Sequence, residues 1–232
     1  MLPLPRLSVV IPVLNDAQPL AGLIRELLSL SSAEQVEIIV VDGGSCDQPE
    51  FVLPERVRFL TVPKAGRGAQ IARGLDAARA EWLWLLHADS FDIRPALEFL
   101  LGRDRPSWGR FDVRLGRVSE NLESRLKLVA RMMNWRSRAT GICTGDQGIY
   151  LHRSLLEAAG GMPTQPLMED IELSRRLKRI AKPVCPDILL GASGRRWQHR
   201  GLLMTIIKMW VFRLKYYFGA DPQTLARQYY RG

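Results

Sequence analysis

The sequence predicts an α/β fold with a mostly parallel central sheet and helices on both faces. Three observations carry that expectation. Short, β-branched apolar runs alternate with stretches of helical spacing through residues 7–90, the rhythm of βαβ units. The runs are closed by Asn, Asp or Gly, which stop strands. The chain has 232 residues, 47% of them hydrophobic, enough for one large core.

The elements follow in order. Residues 7–13 are short, β-branched and followed by polar residues, as a buried strand is. Leu20, Leu23, Ile24, Leu27 and Leu28 then recur at helical spacing. Residues 36–41 read as a second buried strand, stopped by Asp42-Gly43-Gly44-Ser45, and residues 57–62 as a third. A helix is predicted over 66–80, with Ile71, Leu75 and Ala78 in one stripe, and a fourth strand over 82–86, ending at His87-Ala88-Asp89. Ligands of such sheets bind at the carboxyl ends of the strands. Asn15, Asp16, Asp42 and Asp89 all fall there. Further on, strands are expected at 109–113 and 148–151, and an amphipathic helix at 119–135. Residues 169–181 form another helix, with Leu173, Leu177 and Ile180 inward; residues 202–218 form a strongly apolar one broken by Lys208, Arg213 and Lys215. We expect one domain over 1–194 and a basic, apolar-helical extension over 195–232.

The formal charge is +9, and residues 195–232 carry +7 of it, with eight basic side chains and Asp221 as the single acid. Such a tail suits a phosphate-bearing or membrane-surface partner. Nucleic acid is not expected, because no zinc-finger or aromatic RNA-binding motif is present. No apolar run reaches the ~18 residues of a membrane-spanning helix. The stretch from Leu7 is short, contains Pro12 and ends at Asn15-Asp16, unlike a signal peptide. Cys46, Cys143 and Cys185 form no Cys-x-x-Cys pair, which argues against a disulfide framework or zinc ribbon. A cytoplasmic location follows. The apolar helix at 201–218 fits two roles, resting peripherally on the cytoplasmic membrane face or packing on protein.

Several chemistries are excluded. There is no Gly-x-x-x-x-Gly-Lys-Ser/Thr loop, no glycine-rich turn after the first strand, and no Gly-x-Ser-x-Gly elbow. Acids at strand ends remain. Asp42 suits a turn as well as a contact to a base or ribose. Asp89 suits a helix cap as well as a divalent cation beside a diphosphate. Glu169 and Asp170 favour a helix start through the dipole, yet Asp170 also suits a general base. Arg67, between Gly66 and Gly68, suits a phosphate approached across small residues, or plain solvent.

Taken in order, the stretches Ser8–Asp16, Val41–Asp47, Gly66–Gly74, Leu85–Ser90 and Met168–Arg176 resemble the inverting family 2 glycosyltransferases of the GT-A fold. Within that family, Gly145-Asp-Gln-Gly148, Pro166-Leu-Met-Glu-Asp170 and Arg195-Arg-Trp197 are similar to the arsenosugar-biosynthesis or radical-SAM/selenodomain-associated group. The resemblance implies a Rossmann-like sheet and transfer of a sugar from a nucleoside-diphosphate donor, usually a UDP-sugar, to an acceptor hydroxyl. Pro12, Asn15 and Asp16 would border the nucleotide, Asp42 would face its base, and Arg67, beside Gly66, would lie near it. Asp89 matches the last acid of the family's Asp-x-Asp motif and would hold Mn2+ or Mg2+. Asp170, following Glu169, matches the base, and Gly145 and Asp146 would shape the acceptor side. His87 stands where the motif's first acid is expected, as a metal ligand or a packing residue; His199 is a remote further ligand. The tail points to a lipid-linked acceptor. The competing reading is a catalytically idle nucleotide-sugar or phospholipid-binding module.

Overall fold

The computed structural model describes residues 4–30, 35–62 and 66–231, the side chains of His199, Arg200, Tyr230 and Arg231 excepted. Its first half runs β1 (Leu7–Val13), α1 (Ala17–Ser29), β2 (Val36–Asp42), β3 (Arg58–Thr61), α2 (Arg67–Ala77), β4 (Trp82–Leu85) and α3 (Arg94–Leu101). Then come β5 (Trp108–Gly109), β6 (Asp112–Gly116), α4 (Glu120–Thr140), β7 (Tyr150–His152), α5 (Arg153–Ala158) and α6 (Glu169–Ile180). The chain continues through β8 (Leu189–Ser193), α7 (Arg195–Arg200), α8 (Leu202–Tyr217) and α9 (Pro222–Arg231).

Six strands form the main sheet in the order β3-β2-β1-β4-β7-β5. β1 to β4 pair in parallel, whereas β7 is antiparallel to both β4 and β5. The mostly parallel α/β fold is thus the one the sequence predicts. Alternation along β1 splits the core in two. Leu7, Val9, Ile11 and Val13 pack on α1 and α3, while Val10 joins Ile39 and Val41 against α2 and α6. Each such fully buried aliphatic side chain contributes about 1.5–3 kcal/mol. The register sets Val13 of β1 opposite Asp42 of β2, so the polar ends of both strands emerge at one rim.

The strand expected at 148–151 is β7, Tyr150–His152, and two others also differ from expectation. The third is trimmed at both ends, to Arg58–Thr61. The predicted strand at 109–113 is two strands in different sheets. β5 ends at Gly109, and β6 pairs in parallel with β8 in a second, two-stranded sheet. Between them Arg110 and Phe111 are fully buried. Arg110 pairs with Asp112 and donates to the Asn134 carbonyl at 2.9 Å. The run Gly-Arg-Phe-Asp-Val does not reveal that the chain changes partners halfway. α3, α5 and β8 form outside the segments predicted from the sequence.

A buried charge ties the sheet to the end of α2. Glu37, on β2, accepts from Ser8 Oγ at 2.6 Å, from Arg58 at 2.6 Å, and from the Arg79 amide and guanidinium at 2.8 and 2.7 Å. Burial by itself would push its carboxyl up, but these donors outweigh it and hold it below the usual range. A depressed carboxylate stabilises the fold above its unfolded pKa of about 4.3, and that contribution is lost as pH falls through the folded value. Glu37→Gln should therefore cost about 2–4 kcal/mol at neutral pH. In urea titrations the gap from wild type should close as the solution is acidified below that range.

Candidate active site

A cavity of about 860 Å3 opens at the carboxyl ends of β1 and β4. β1 runs into it through Pro12, Val13 and Leu14, and β4 through His87, Ala88 and Asp89. α2 contributes Arg67 and Gln70, the turn after α4 contributes Thr144, Gly145 and Asp146, and the start of α6 contributes Glu169 and Asp170. Of the residues picked from the sequence, Pro12, Asp16, Gly66, Arg67, His87, Asp89, Gly145, Asp146, Glu169 and Asp170 all line it. The His199 side chain lies outside the described residues.

Asn15 and Asp42 build the wall without lining it. Asp42 accepts from the Gly44 and Ser45 amides and from the Ser45 hydroxyl, which is the turn its sequence allowed. Asn15 has a left-handed backbone, φ 53°. Its side chain accepts from the Cys46 amide at 2.8 Å, and its own amide donates to Ser45 Oγ at 2.8 Å. The two strand ends are further joined by Gln70, whose Nε2 donates to the Val13 and Val41 carbonyls at 2.8 Å each.

The glycines around Arg67 also meet a packing demand. A Cβ on Gly66 would stand 2.8 Å from Pro166 Cα, and one on Gly68 would stand 2.7 Å from the Pro163 and Gln165 carbonyl oxygens. The space they leave is filled by the 163–166 loop packed on the start of α2.

Arg67 Nη1 is 3.0 Å from Glu169 Oε1, and Glu169 is 3% exposed. Burial raises the Glu169 carboxyl above the usual range, opposed by Arg67 and reinforced by the neighbouring Asp170. Asp170 Oδ2 accepts from the Gly145 amide at 3.0 Å and Oδ1 from the Ile171 amide at 2.8 Å. Leu173 and Leu177, both fully buried, fix α6 beneath it. His87 Nδ1 meets Asp146 Oδ1 at 3.1 Å. Burial would push Asp146 up, but the His87 hydrogen bond, the His87 charge, Arg196 and Arg67 hold it well below the ordinary carboxylate range. Arg67 Nε and His87 Nε2 are buried with no hydrogen-bond partner among the described residues. The Arg67 Nε–H is a donor that calls for an acceptor the described residues do not provide, and His87 Nε2 is a second polar atom left without a partner.

The tail enters the same cavity. Arg195, the first residue of α7, donates to both Asp16 oxygens at 2.8 and 2.9 Å and lies 3.5 Å from Asp89. Arg196 of α7, Met209, Phe212 and Arg213 of α8, and Arg227 and Tyr229 of α9 complete the lining. The sequence marked this tail only as basic and apolar. No spacing signal shows that its helices fold back over the strand ends.

Comparison with known proteins adds to this geometry. Residues 8–154 match the family model described as glycosyl transferase family 2. Over 114 residues the chain is 32% identical to the human (Homo sapiens) dolichyl-phosphate beta-glucosyltransferase, a match covering 42% of this chain and 35% of that protein. It thus spans about a third of that relative's length. Among solved structures, it is similar to the mannosyltransferase PcManGT from Pyrobaculum calidifontis in complex with GDP-Man and Mn2+. That likeness has 20% identity and a TM-score of 0.56 and covers 82% of this chain and 57% of that one. It is also similar to glucosyl-3-phosphoglycerate synthase from Mycobacterium tuberculosis, in complex with Mn2+, UDP and glucosyl-3-phosphoglycerate. There the identity is 21%, the TM-score 0.56, and the coverage 81% and 71%. At such identities the likeness is one of fold.

Proposed function

Because the chain belongs to glycosyl transferase family 2, and so is a glycosyltransferase of the GT-A fold, we propose that it moves a sugar from a nucleoside-diphosphate donor to an acceptor hydroxyl, with inversion. The observation that carries the reading is the position of Asp170. Its carboxylate lines the cavity from the start of α6, held by the Gly145 amide at 3.0 Å, while Asp89 lines the same cavity from the end of β4. A base and a diphosphate-side acid thus face one chamber. The likeness to the solved complexes with GDP-Man, or with UDP and Mn2+, supports a nucleotide-linked donor.

The donor diphosphate belongs beside Arg67, whose buried Nε–H lacks an acceptor among the described residues, and His87, whose buried Nε2 has no partner there. Pro12, Asn15, Asp16 and Asp42 form the nucleotide end, with the Asp42 turn as its wall. Asp170 accepts the proton of the acceptor hydroxyl as that oxygen attacks the anomeric carbon from the face opposite the diphosphate. Gly145 and Asp146 bound the acceptor side.

A divalent cation fits this chamber only in company with the donor. Among the described residues, no three His, Cys, Asp or Glu side chains gather as a protein-only metal cage needs. One carboxylate, Asp89, with the diphosphate oxygens and water suits Mg2+ or Mn2+. The ion would offset charge on the departing diphosphate. The likeness to a dolichyl-phosphate glucosyltransferase supports a lipid-linked acceptor, and the tail motif Arg195-Arg-Trp197 supports the narrower arsenosugar-biosynthesis group.

A panel of UDP- and GDP-sugars tests the reading by thermal shift. With the correct donor near 100 times its Kd and Mn2+ present, the midpoint should rise by about 6 °C. Asp89→Ala should lose the metal-dependent part of that rise. No shift with any donor, with or without metal, overturns the reading.

A further inference from the structure

We propose that the outer face of α8 docks on an anionic lipid bilayer, lying in the headgroup region without crossing it. α8 has 16 residues, and Leu203, Ile207, Trp210, Leu214, Tyr217 and Phe218 fall on one side of its axis and the turn that follows it. They are 69%, 47%, 51%, 50%, 82% and 80% exposed. On the opposite side Thr205 and Phe212 are buried, and Leu202, Ile206 and Met209 pack into the cluster of α4, β6, β8 and Trp197. The helix is therefore anchored by one side and presents an apolar, aromatic stripe with the other. A stripe this large on a soluble face marks an interaction surface.

Charge selects the occupant. From Arg195 to Ala220 the chain contains no Asp or Glu. Lys208 and Lys215 lie round the helix from the stripe, toward α9, where they meet the Tyr229 carbonyl at 3.2 Å and Gln228 Oε1 at 3.0 Å, so the positive charge borders the stripe without entering it. Two copies meeting through this face would bring together two segments of net positive charge, with no carboxylate between Arg195 and Ala220 of either to meet them. Anionic headgroups supply that missing charge, and each basic residue near such a surface adds about 1 kcal/mol. Trp210, Tyr217 and Phe218 suit the headgroup level, where amphipathic rings collect. Among the described residues no helix is long and apolar enough to cross a membrane. The other side of α8 lines the cavity through Met209, Phe212 and Arg213. Docking thus brings the cavity within about one helix diameter, ~10 Å, of the bilayer. That consequence for a lipid-borne acceptor rests on the glycosyltransferase reading; the docking itself does not.

Vesicle flotation of the full chain reads the surface without any sugar transfer. Wild type should float with phosphatidylcholine vesicles containing phosphatidylglycerol, and bind pure phosphatidylcholine or high-salt samples at least about tenfold more weakly. Ile207→Glu with Trp210→Glu, both on the exposed stripe, should lower binding at least about tenfold while the melting temperature holds. Failure of wild type to float with anionic vesicles overturns the proposal. So does undiminished flotation of the double variant, or sedimentation of wild type as a dimer that the double variant abolishes. Donor thermal shift on the same samples separates failure here from failure of the enzymatic reading.

Discussion

Asp170→Asn should lower sugar transfer by about 10³-fold, the scale of a lost general base, while donor-induced thermal stabilisation stays near that of wild type. The amide oxygen of Asn can still accept the Gly145 N–H that now meets Asp170 Oδ2 at 3.0 Å. The fold and the turn after α4 should therefore persist. What is lost is the ability to take a proton. Assaying transfer and donor hydrolysis together gives the decisive comparison. Unchanged turnover would remove Asp170 from the mechanism. Donor binding by a wild type that never turns over would instead favour an idle binding module.

Gly145→Ala should be nearly as damaging, by another route. A Cβ there would collide with the Arg67 guanidinium and stand 2.5 Å from His87 Nε2. Both side chains have limited freedom, because Arg67 is paired with Glu169 and His87 with Asp146. The new methyl must displace one of these pairs or the backbone whose amide holds Asp170. A displacement on the order of 1 Å at a reacting group costs about 10²-fold in rate. We expect kcat to fall by about that factor and the melting temperature to drop as well, because the displaced Arg67 leaves the buried Glu169 carboxyl without its partner. An unchanged kcat would mean that the Arg67–His87 side of the chamber takes no part in the reaction.

Much of the site was legible because its chemistry sits at the ends of buried strands. β1, β2 and β4 announce themselves by apolar runs, and the polar residues that stop them mark the rim. Asp16 and Asp89 were found that way, and Asp170 by the helix start that follows Met168. At Asp42 and Asn15 the same signal marks residues whose side chains build the 44–46 turn in the cavity wall. At Gly66 and Gly68 the sequence does not show that the 163–166 loop packs where a Cβ would stand.

By itself the sequence determined the α/β class, the parallel strands and the acids at their carboxyl ends. These are local consequences of hydrophobic periodicity and turn chemistry, which neighbouring residues encode. Only the tertiary structure decided which of those acids meet in one chamber. It alone set Arg195 against Asp16 and Asp89, although Asp16 and Arg195 are separated by 179 positions. It also divided the tail helix into a side lining the cavity and a side left bare. Contacts between distant segments depend on how whole elements pack, and no short window of sequence contains that information.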